Sequence, residues 1–132
     1  MNESRRIYVV EDSPTQALAV KRVLLQIPKV ECKLFSDGLE AYRAVLEEAP
    51  DIILMDLILP SLHGLAMCRL LKFHSDYQDL QILLFSSITE SDIVMQAWAA
   101  GANHFLQKPF TPDALRTKVQ EVIDELAASK VS

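Results

Sequence analysis

Five polar side chains of this 132-residue chain stand where short apolar runs end, and their types are suited to metal and phosphoryl chemistry. Glu11 and Asp12 follow the first run, Asp56 follows the third, Ser86 ends the fourth, and Lys108 comes just after the fifth. Sites in open α/β sheets form outside the carboxyl ends of the strands. We therefore expect three acids, one hydroxyl and one amine to converge at one edge of a sheet.

The charge of these residues predicts a bound cation. Glu11, Asp12 and Asp56 would together carry −3, which is costly in one cleft unless it is neutralised. A divalent cation together with Lys108 restores the balance. Few carboxylates with hard oxygen donors suit Mg²⁺, and the sequence offers no His or Cys cluster for a softer metal.

An aspartate beside Mg²⁺ and a lysine is equipped to accept a phosphoryl group. The Asp56 carboxylate can attack phosphorus and hold the group as an acyl phosphate. Such a transfer asks mainly for positioning and charge neutralisation, which the metal and Lys108 would supply. Phosphorylation would replace a charge of −1 by about −2, and Ser86 could donate a hydrogen bond to the new oxygens. The site is thus a candidate switch as well as a reaction centre.

The elements that must position these residues alternate regularly between strand-like and helix-like segments. The predicted strands are 7–10, 30–35, 52–55, 81–85 and 103–107. The predicted helices are 14–27, a segment from 37 that Pro50 closes, 64–73, 92–100, and a last helix from 112. Ser13 and Gln16 are expected to form a capping box at the first helix. Strand 52–55 is continuously apolar, as in a central parallel strand, whereas 30–35 is more polar and suits an edge. Five βα units predict an α/β, doubly wound parallel sheet with helices on both faces.

Length and composition limit the classes of protein. Half of the residues are hydrophobic, 23% are charged, and the net charge is −5. This composition excludes a disordered chain, and the length predicts one domain, over 1–126, with 127–132 as a tail or linker stub. The acidity argues against direct nucleic-acid binding, and no apolar run approaches the roughly 20 residues that span a bilayer. We expect a cytoplasmic protein without a membrane partner.

The remaining candidates for chemistry have structural interpretations. Cys32 and Cys68 have no close-spaced partner and are interpreted as small buried hydrophobes. Trp98 is interpreted as a packing residue that would suit a partner interface if it were exposed. Three histidines are expected at the surface: His63, His74 and His104.

The chain resembles the receiver domain of bacterial two-component response regulators over essentially its whole length. The matching residues are Glu11-Asp12 after the first strand, Asp56 within Asp56-Leu57-Ile58-Leu59-Pro60, Gly64, Ser86 and Lys108-Pro109. The resemblance implies a flavodoxin-like (βα)5 three-layer sandwich with the parallel strand order 2-1-3-4-5.

The same resemblance implies a role for each residue that binds metal or phosphate. Asp56 would accept a phosphoryl group from a histidine kinase, a phosphotransfer protein or a small phosphodonor. Glu11, Asp12 and Asp56 would hold Mg²⁺, together with the backbone carbonyl of Ile58.

Three further residues are implied to respond to phosphorylation. Lys108 would pair with the phosphate, Ser86 would move toward it, and Phe105 would change rotamer. These movements would reshape the surface of the fourth helix, fifth strand and fifth helix, where a downstream protein or a second copy would bind. The chain would then be no dedicated enzyme, since it acts only on its own aspartate.

Three other functions compete with this one. The domain could be an interaction module that uses the same surface without phosphorylation. An aspartate-nucleophile phosphatase is disfavoured because Ile58 stands where a second acid is expected two residues after Asp56. Flavin binding is disfavoured because the first loop, Glu11-Asp12-Ser13-Pro14, is acidic and lacks glycine, which makes it a poor cradle for phosphate.

Overall fold

The structure, a computed structural model, describes residues 4–59, 61–87 and 91–131. Strands and helices alternate along the chain. The strands are β1 (Arg5–Val10), β2 (Val30–Phe35), β3 (Ile52–Asp56), β4 (Gln81–Ser86) and β5 (His104–Gln107). The helices are α1 (Pro14–Leu24), α2 (Gly38–Glu47), α3 (Gly64–Lys72), α4 (Ser91–Ala99) and α5 (Pro112–Val131), with a 3₁₀ turn at Ser75–Tyr77.

The strands form one parallel sheet in the order β2-β1-β3-β4-β5. This order confirms the predicted doubly wound α/β fold. β3 lies at the centre and is buried from Ile52 to Met55, as its continuous apolar run predicted. β2 lies at an edge, and its alternating half-buried and exposed residues agree with its more polar sequence.

Alternation along the strands divides the core into two layers. Tyr8 and Val10 of β1 face one side of the sheet, where α2, α3 and α4 cover them. Ile7 and Val9 face the other side, where α1 and α5 pack. Because successive strand residues point to opposite faces, β3 and β4 contribute to both cores in the same way. A strand buried on both faces cannot turn a charged side chain inward, so charges collect where the strands end.

The first helix is shorter than predicted. α1 ends at Leu24, whereas the apolar spacing predicted a helix to Ile27. The chain tightens instead, because the Gln26 and Ile27 backbone N–H groups donate to the carbonyls three residues earlier, at 3.1 and 3.0 Å. Ile27 is still buried, so the apolar residue was correctly assigned to the core although its backbone is not helical.

The last helix extends further than expected. Leu115, Val119 and Val122 form its buried stripe, as predicted, but the helix continues to Val131 and passes the expected domain boundary at 126. The boundary itself remains a prediction. Among residues 4–59, 61–87 and 91–131, no helix combines the length and the apolar character needed to cross a membrane.

Two interpretations of single residues were wrong. The His104 side chain is only 13% exposed, not at the surface, because it lies at the start of β5 beneath α5, 3.4 Å from Glu125. Cys32 is only half-buried, because it lies on the edge strand β2, whereas Cys68 is buried as expected. His63 and His74 are exposed as predicted.

Candidate functional site

The three acids meet at the carboxyl edge of the sheet. β1 and β3 are neighbours in register, with Val10 beside Met55, so the residues that follow them come together. Glu11, Asp12 and Asp56 each offer a carboxylate oxygen within 4.8 Å of the others. Glu11 is 2% exposed, Asp56 is half-buried and Asp12 is exposed. The arrangement is open to solvent on the Asp12 side.

Lys108 lies between these carboxylates. Its Nζ is 2.6 Å from Asp56 Oδ2, 2.8 Å from Glu11 Oε1 and 2.7 Å from Gln16 Oε1. An ammonium group has three donors, so these three acceptors use all of them. The predicted convergence of amine and acids is therefore present, and α1 contributes the third partner of Lys108 through Gln16.

Burial and charge act on the two most enclosed groups of the site. Burial raises the pKa of Glu11, and the nearby Asp56 carboxylate adds to the rise, whereas the hydrogen bond from Lys108 opposes it. Burial alone would lower the pKa of Lys108, but its hydrogen bonds to Asp56 and Glu11 outweigh that cost and raise it. Lys108 is thus held as a cation. With all three acids ionised, one ammonium leaves the cluster at −2.

The residual charge and the donor set fit a divalent metal. Carboxylate oxygens are the ligands that Mg²⁺ takes in proteins, and two positive charges would neutralise the cluster. Near it, the Ile58 backbone N–H donates to Asp56 Oδ1 at 3.0 Å, so the loop after β3 is bonded directly to this carboxylate. The expected metal contact of the Ile58 carbonyl remains a prediction.

Ser86 and Phe105 lie on the neighbouring strands β4 and β5. Ser86 is 2% exposed and follows Phe85, the register partner of Asp56. The Lys108 backbone N–H donates to the Ser86 carbonyl at 2.9 Å, across a loop whose Lys108–Pro109 bond is cis. Phe105 is half-buried and packs against the core beneath α2, α3 and α4. Ser86 thus ends β4, and Phe105 lies two residues before the end of β5; their response to phosphorylation remains a prediction.

Gln16 is a site residue that sequence reasoning missed. It was expected to close a capping box with Ser13, but its side chain binds Lys108 instead. Ser13 does accept from the Gln16 backbone N–H, at 3.4 Å, while its own N–H donates to Glu11 Oε2. The buried acid thus takes the place of the box's second partner. Only one signal in the sequence could have indicated that Gln16 belongs to the site: it lies four residues after Asp12, in the first turn of α1.

A groove of about 520 Å³ runs from the site between α1 and α5. Glu11, Gln16 and Lys108 lie at its polar end. Apolar side chains from α1, β4 and α5 line the rest, among them Val23, Phe85 and Leu115. The polar cluster is therefore flanked on this side by an apolar surface.

Comparison with known proteins gives one family. The family model described as the response regulator receiver domain matches residues 7–120. The chain is 32% identical over 116 residues to the DNA-binding response regulator MtrA of Mycolicibacterium smegmatis, covering 88% of this chain and 49% of that protein. It is 26% identical to a chemotaxis protein CheY homolog of Campylobacter jejuni, covering 89% and 92%.

Solved structures agree. The signal receiver domain of a signal transduction histidine kinase from Syntrophus aciditrophicus superposes with a TM-score of 0.85 at 30% identity, covering 92% of each chain. The chemotaxis response regulator CheY4 of Vibrio cholerae superposes with a TM-score of 0.83 at 27% identity, covering 91% of this chain and 99% of that one.

The chain spans about half the length of the first curated relatives it matches. The match nevertheless covers nearly all of the sheet, from Ile7 to Gln120 in the first half of α5. The acid cluster, the lysine and the strand order described above fall within that range. The chain belongs to the response regulator receiver domain family.

Proposed function

We propose that this receiver accepts a phosphoryl group on Asp56 from a histidine kinase or a phosphotransfer protein and acts as a switch. One observation supports this proposal most: the Lys108 ammonium binds two carboxylates, Glu11 and Asp56. The carboxylate of Asp12 lies beside them. Lys108 fixes Asp56 Oδ2, and the Ile58 N–H fixes Oδ1. A carboxylate held at both oxygens is oriented before a donor arrives, which lowers the entropic cost of reaction.

The transfer itself needs little from the protein besides position and charge. An oxygen of Asp56 attacks phosphorus, the P–N bond to the donor imidazole breaks, and that nitrogen keeps the electron pair. Lys108 stays beside the reacting oxygen and balances charge on the phosphoryl group. Ser86 follows Phe85, the register partner of Asp56, and its hydroxyl would donate to the phosphoryl oxygens.

Glu11, Asp12 and Asp56 are the residues that would hold Mg²⁺, with the Ile58 carbonyl as a fourth ligand. When bound, the ion would supply two positive charges that offset the residual −2 and attract the phosphoryl oxygens. Glu11 is buried and fixed by Lys108 and the Ser13 N–H, so it offers a rigid ligand. Asp12 is exposed and leaves the approach open.

The output surface would be that of α4, β5 and α5, linked to the site through Ser86 and Phe105. On α4, Met95 is 67% exposed and Trp98 is 46% exposed. Large apolar side chains at the surface suit a protein partner, either a downstream target or a second copy. Phosphorylation would need to favour the binding state by a few kcal/mol to shift its population usefully.

Acetyl phosphate with Mg²⁺ tests the assignment of Asp56. The wild type should gain one phosphoryl group by intact mass spectrometry, and Asp56→Asn should gain none. Asp51→Asn, which changes an aspartate just before the same strand, is the matched control and should still be labelled. Equal labelling of wild type and Asp56→Asn would overturn the assignment.

The exposed Met95 and Trp98 also favour a second candidate, an interaction module that works without phosphorylation. Trp98 is the single tryptophan of the chain, so its fluorescence reports on α4 alone. A phosphorylation switch predicts a change in emission when beryllofluoride and Mg²⁺ are added to wild type, and none in Asp56→Asn. Unchanged emission in the wild type, with beryllofluoride shown to be bound, would favour the second candidate.

A further inference from the structure

The start of α2 is bonded to the loop that follows the phosphoacceptor strand. Asp37 caps α2, since its Oδ1 accepts from the backbone N–H groups of Leu39 and Glu40 at 2.8 and 3.0 Å. The same oxygen accepts from Ser61 Oγ at 2.6 Å, the shortest of the three contacts. Ser61 belongs to the β3–α3 loop, of which residues 57–59 and 61–63 are described. We call this contact the Asp37–Ser61 clasp.

The backbones approach closely at the clasp. A Cβ added at Gly38 would overlap the carbonyl oxygen of Leu62, so only glycine allows α2 to reach the loop here. Ser61 itself adopts a φ of 60°, a left-handed conformation that a non-glycine residue holds only when its surroundings impose it. The fit is therefore specific to this loop conformation and is more than a helix cap.

The other end of the loop is bonded to the reacting carboxylate. The Ile58 N–H donates to Asp56 Oδ1, and the Gly64 N–H closes the base of the loop on the Leu57 carbonyl at 3.0 Å. A Cβ at Gly64 would lie 2.7 Å from the Asp56 carbonyl oxygen, so the base has no spare room. The loop is thus held at its base by β3 and at its tip by α2.

The Ser61 oxygen takes some part in the cap, since it accepts from the Leu39 N–H at 3.4 Å, but capping does not account for the bond that the Ser61 hydroxyl donates to Asp37 at 2.6 Å. Leu39 and Glu40 already supply the two backbone donors that an aspartate cap satisfies, and the hydroxyl adds a third from another element. The Ser61 hydrogen bond is the main reason why the pKa of Asp37 lies below its ordinary value, with the α2 backbone N–H groups adding to it. Asp37 is therefore an ionised acceptor, and its shortest hydrogen bond comes from the β3–α3 loop.

We propose that Asp37 is a positioning residue for the phosphoacceptor, because through Ser61 it fixes the loop whose Ile58 N–H orients Asp56. Lys108 holds the other oxygen of the same carboxylate. Loss of the clasp would free one oxygen of Asp56 and leave the other in place. This inference rests on the proposed role of Asp56 as phosphoacceptor.

Two readouts test the clasp in the full chain. The first is the hydrogen-exchange rate of the Ile58 amide, measured by NMR without any phosphodonor. The second is the rate of labelling by acetyl phosphate with Mg²⁺. Ser61→Ala removes the clasp, together with the 3.4 Å contact from the Leu39 N–H to Ser61 Oγ, and leaves both α2 capping bonds to Asp37. Asp37→Asn keeps a carbonyl oxygen that can accept from Ser61 Oγ, so this conservative variant should preserve the clasp. His74→Ala removes an exposed cap at the 3₁₀ turn, at the opposite edge of the sheet, and is the matched control.

Ser61→Ala should speed exchange at Ile58 and slow labelling by roughly threefold to tenfold, less than the ~100-fold that a 1 Å misplacement can cost, because Lys108 still holds one oxygen. Asp37→Asn and His74→Ala should stay within about twofold of wild type. Unchanged Ile58 exchange and labelling in Ser61→Ala, or equal losses in His74→Ala, would overturn the proposal. If wild type accepts no phosphoryl group, the proposed function fails, while Ile58 exchange still decides whether the clasp orders the loop.

Discussion

The two edges of one sheet both carry charge, but in different arrangements. At the amino edge the acids contact two arginines: Asp51 lies 4.0 Å from Arg5, and Arg6 forms ion pairs with Glu48 and, at 4.0 Å, with Glu31. At the carboxyl edge Glu11 and Asp56 share one lysine, Lys108. A carboxylate oxygen of Asp12 lies within 4.8 Å of one oxygen of each. The acids that share Arg6 are largely exposed, so water solvates their excess charge, whereas the enclosed Glu11 and Asp56 need a cation to balance theirs.

Solvent exposure sharpens the difference. The Glu48 side chain at the amino edge is 65% exposed, so water screens its pair with Arg6 and little free energy depends on it. Glu11 at the carboxyl edge is 1% exposed in its side chain, and Lys108 is 19% exposed. Breaking such an enclosed contact leaves a buried charge without a partner, which is far more costly. We therefore expect substitutions at the carboxyl edge to have large effects on function, and substitutions at the amino edge to have small effects on stability.

The largest effect is expected for Lys108→Met. It removes the only cation that the described residues bring to the cluster, so phosphorylation by acetyl phosphate should fall by roughly 100- to 1,000-fold. Initial rates at saturating Mg²⁺ measure this. Lys118→Met is the control: this half-buried lysine of α5 pairs with Glu121, away from the cluster, and the variant should stay near the wild-type rate. A Lys108→Met rate within threefold of wild type would contradict the role of the ammonium.

Asp12→Asn should weaken Mg²⁺ binding by roughly 10- to 100-fold, because a charged oxygen ligand becomes neutral. Isothermal titration calorimetry gives the affinity without any phosphodonor. Asp79→Asn, in the loop before β4, removes the same charge far from the cluster. If both variants bound Mg²⁺ as wild type does, the ion would not depend on Asp12.

Asp51→Ala tests the opposite edge and should lower the free energy of unfolding by about 1 kcal/mol, since the side chain is partly exposed. It removes the Arg5 contact and the acceptor of the Arg6 N–H, at 2.9 Å. Urea denaturation measures the loss. The labelling rate of the folded protein should not change, and a slower rate would show that the two edges are coupled.

The smallest effect is a pH dependence from His104 at the start of β5. Burial lowers its pKa, which Glu125 and Glu121 oppose and Lys118 reinforces. The unfolded chain therefore takes up the proton at higher pH, so this contribution to stability is present above pH 6.5 and is lost as pH falls through the folded-state pKa. His104→Gln should flatten the dependence in urea denaturation between pH 5 and 7. A slope equal to that of wild type would contradict the assignment to His104.

Much of the fold and most of the site could be predicted because both depend on local pattern. The strand 52–55 is continuously apolar, so it had to be covered on both faces, and the acid that follows it had to lie at the edge. Glu11, Asp12 and Lys108 follow from the same reasoning applied to β1 and β5. Parallel strands bring their carboxyl ends to one edge whatever the exact loops are, so these contacts needed no tertiary detail.

Other features depended on which elements approach one another. The sequence predicts Gln16 only as a residue of the first helix. Its contact with Lys108 exists because α1 lies beside the β5–α5 loop in the folded chain. Asp37 reads as a helix cap, and only the approach of the β3–α3 loop adds Ser61 to it. The sequence predicts His104 as a polar residue at a strand end. Its burial depends on α5, which packs over it in the folded chain.

Local sequence pattern is enough to predict the layers of the sheet, the acids and the lysine at its edge, and a net negative charge that a cation would balance. Tertiary structure decided which oxygen of Asp56 meets Lys108 and which meets the Ile58 N–H. It also decided that α2 holds the loop beside that aspartate. The reason is physical: periodicity and charge are properties of short segments, whereas a hydrogen bond between side chains 24 or 92 residues apart exists only once the core has fixed the distance between their helices and loops.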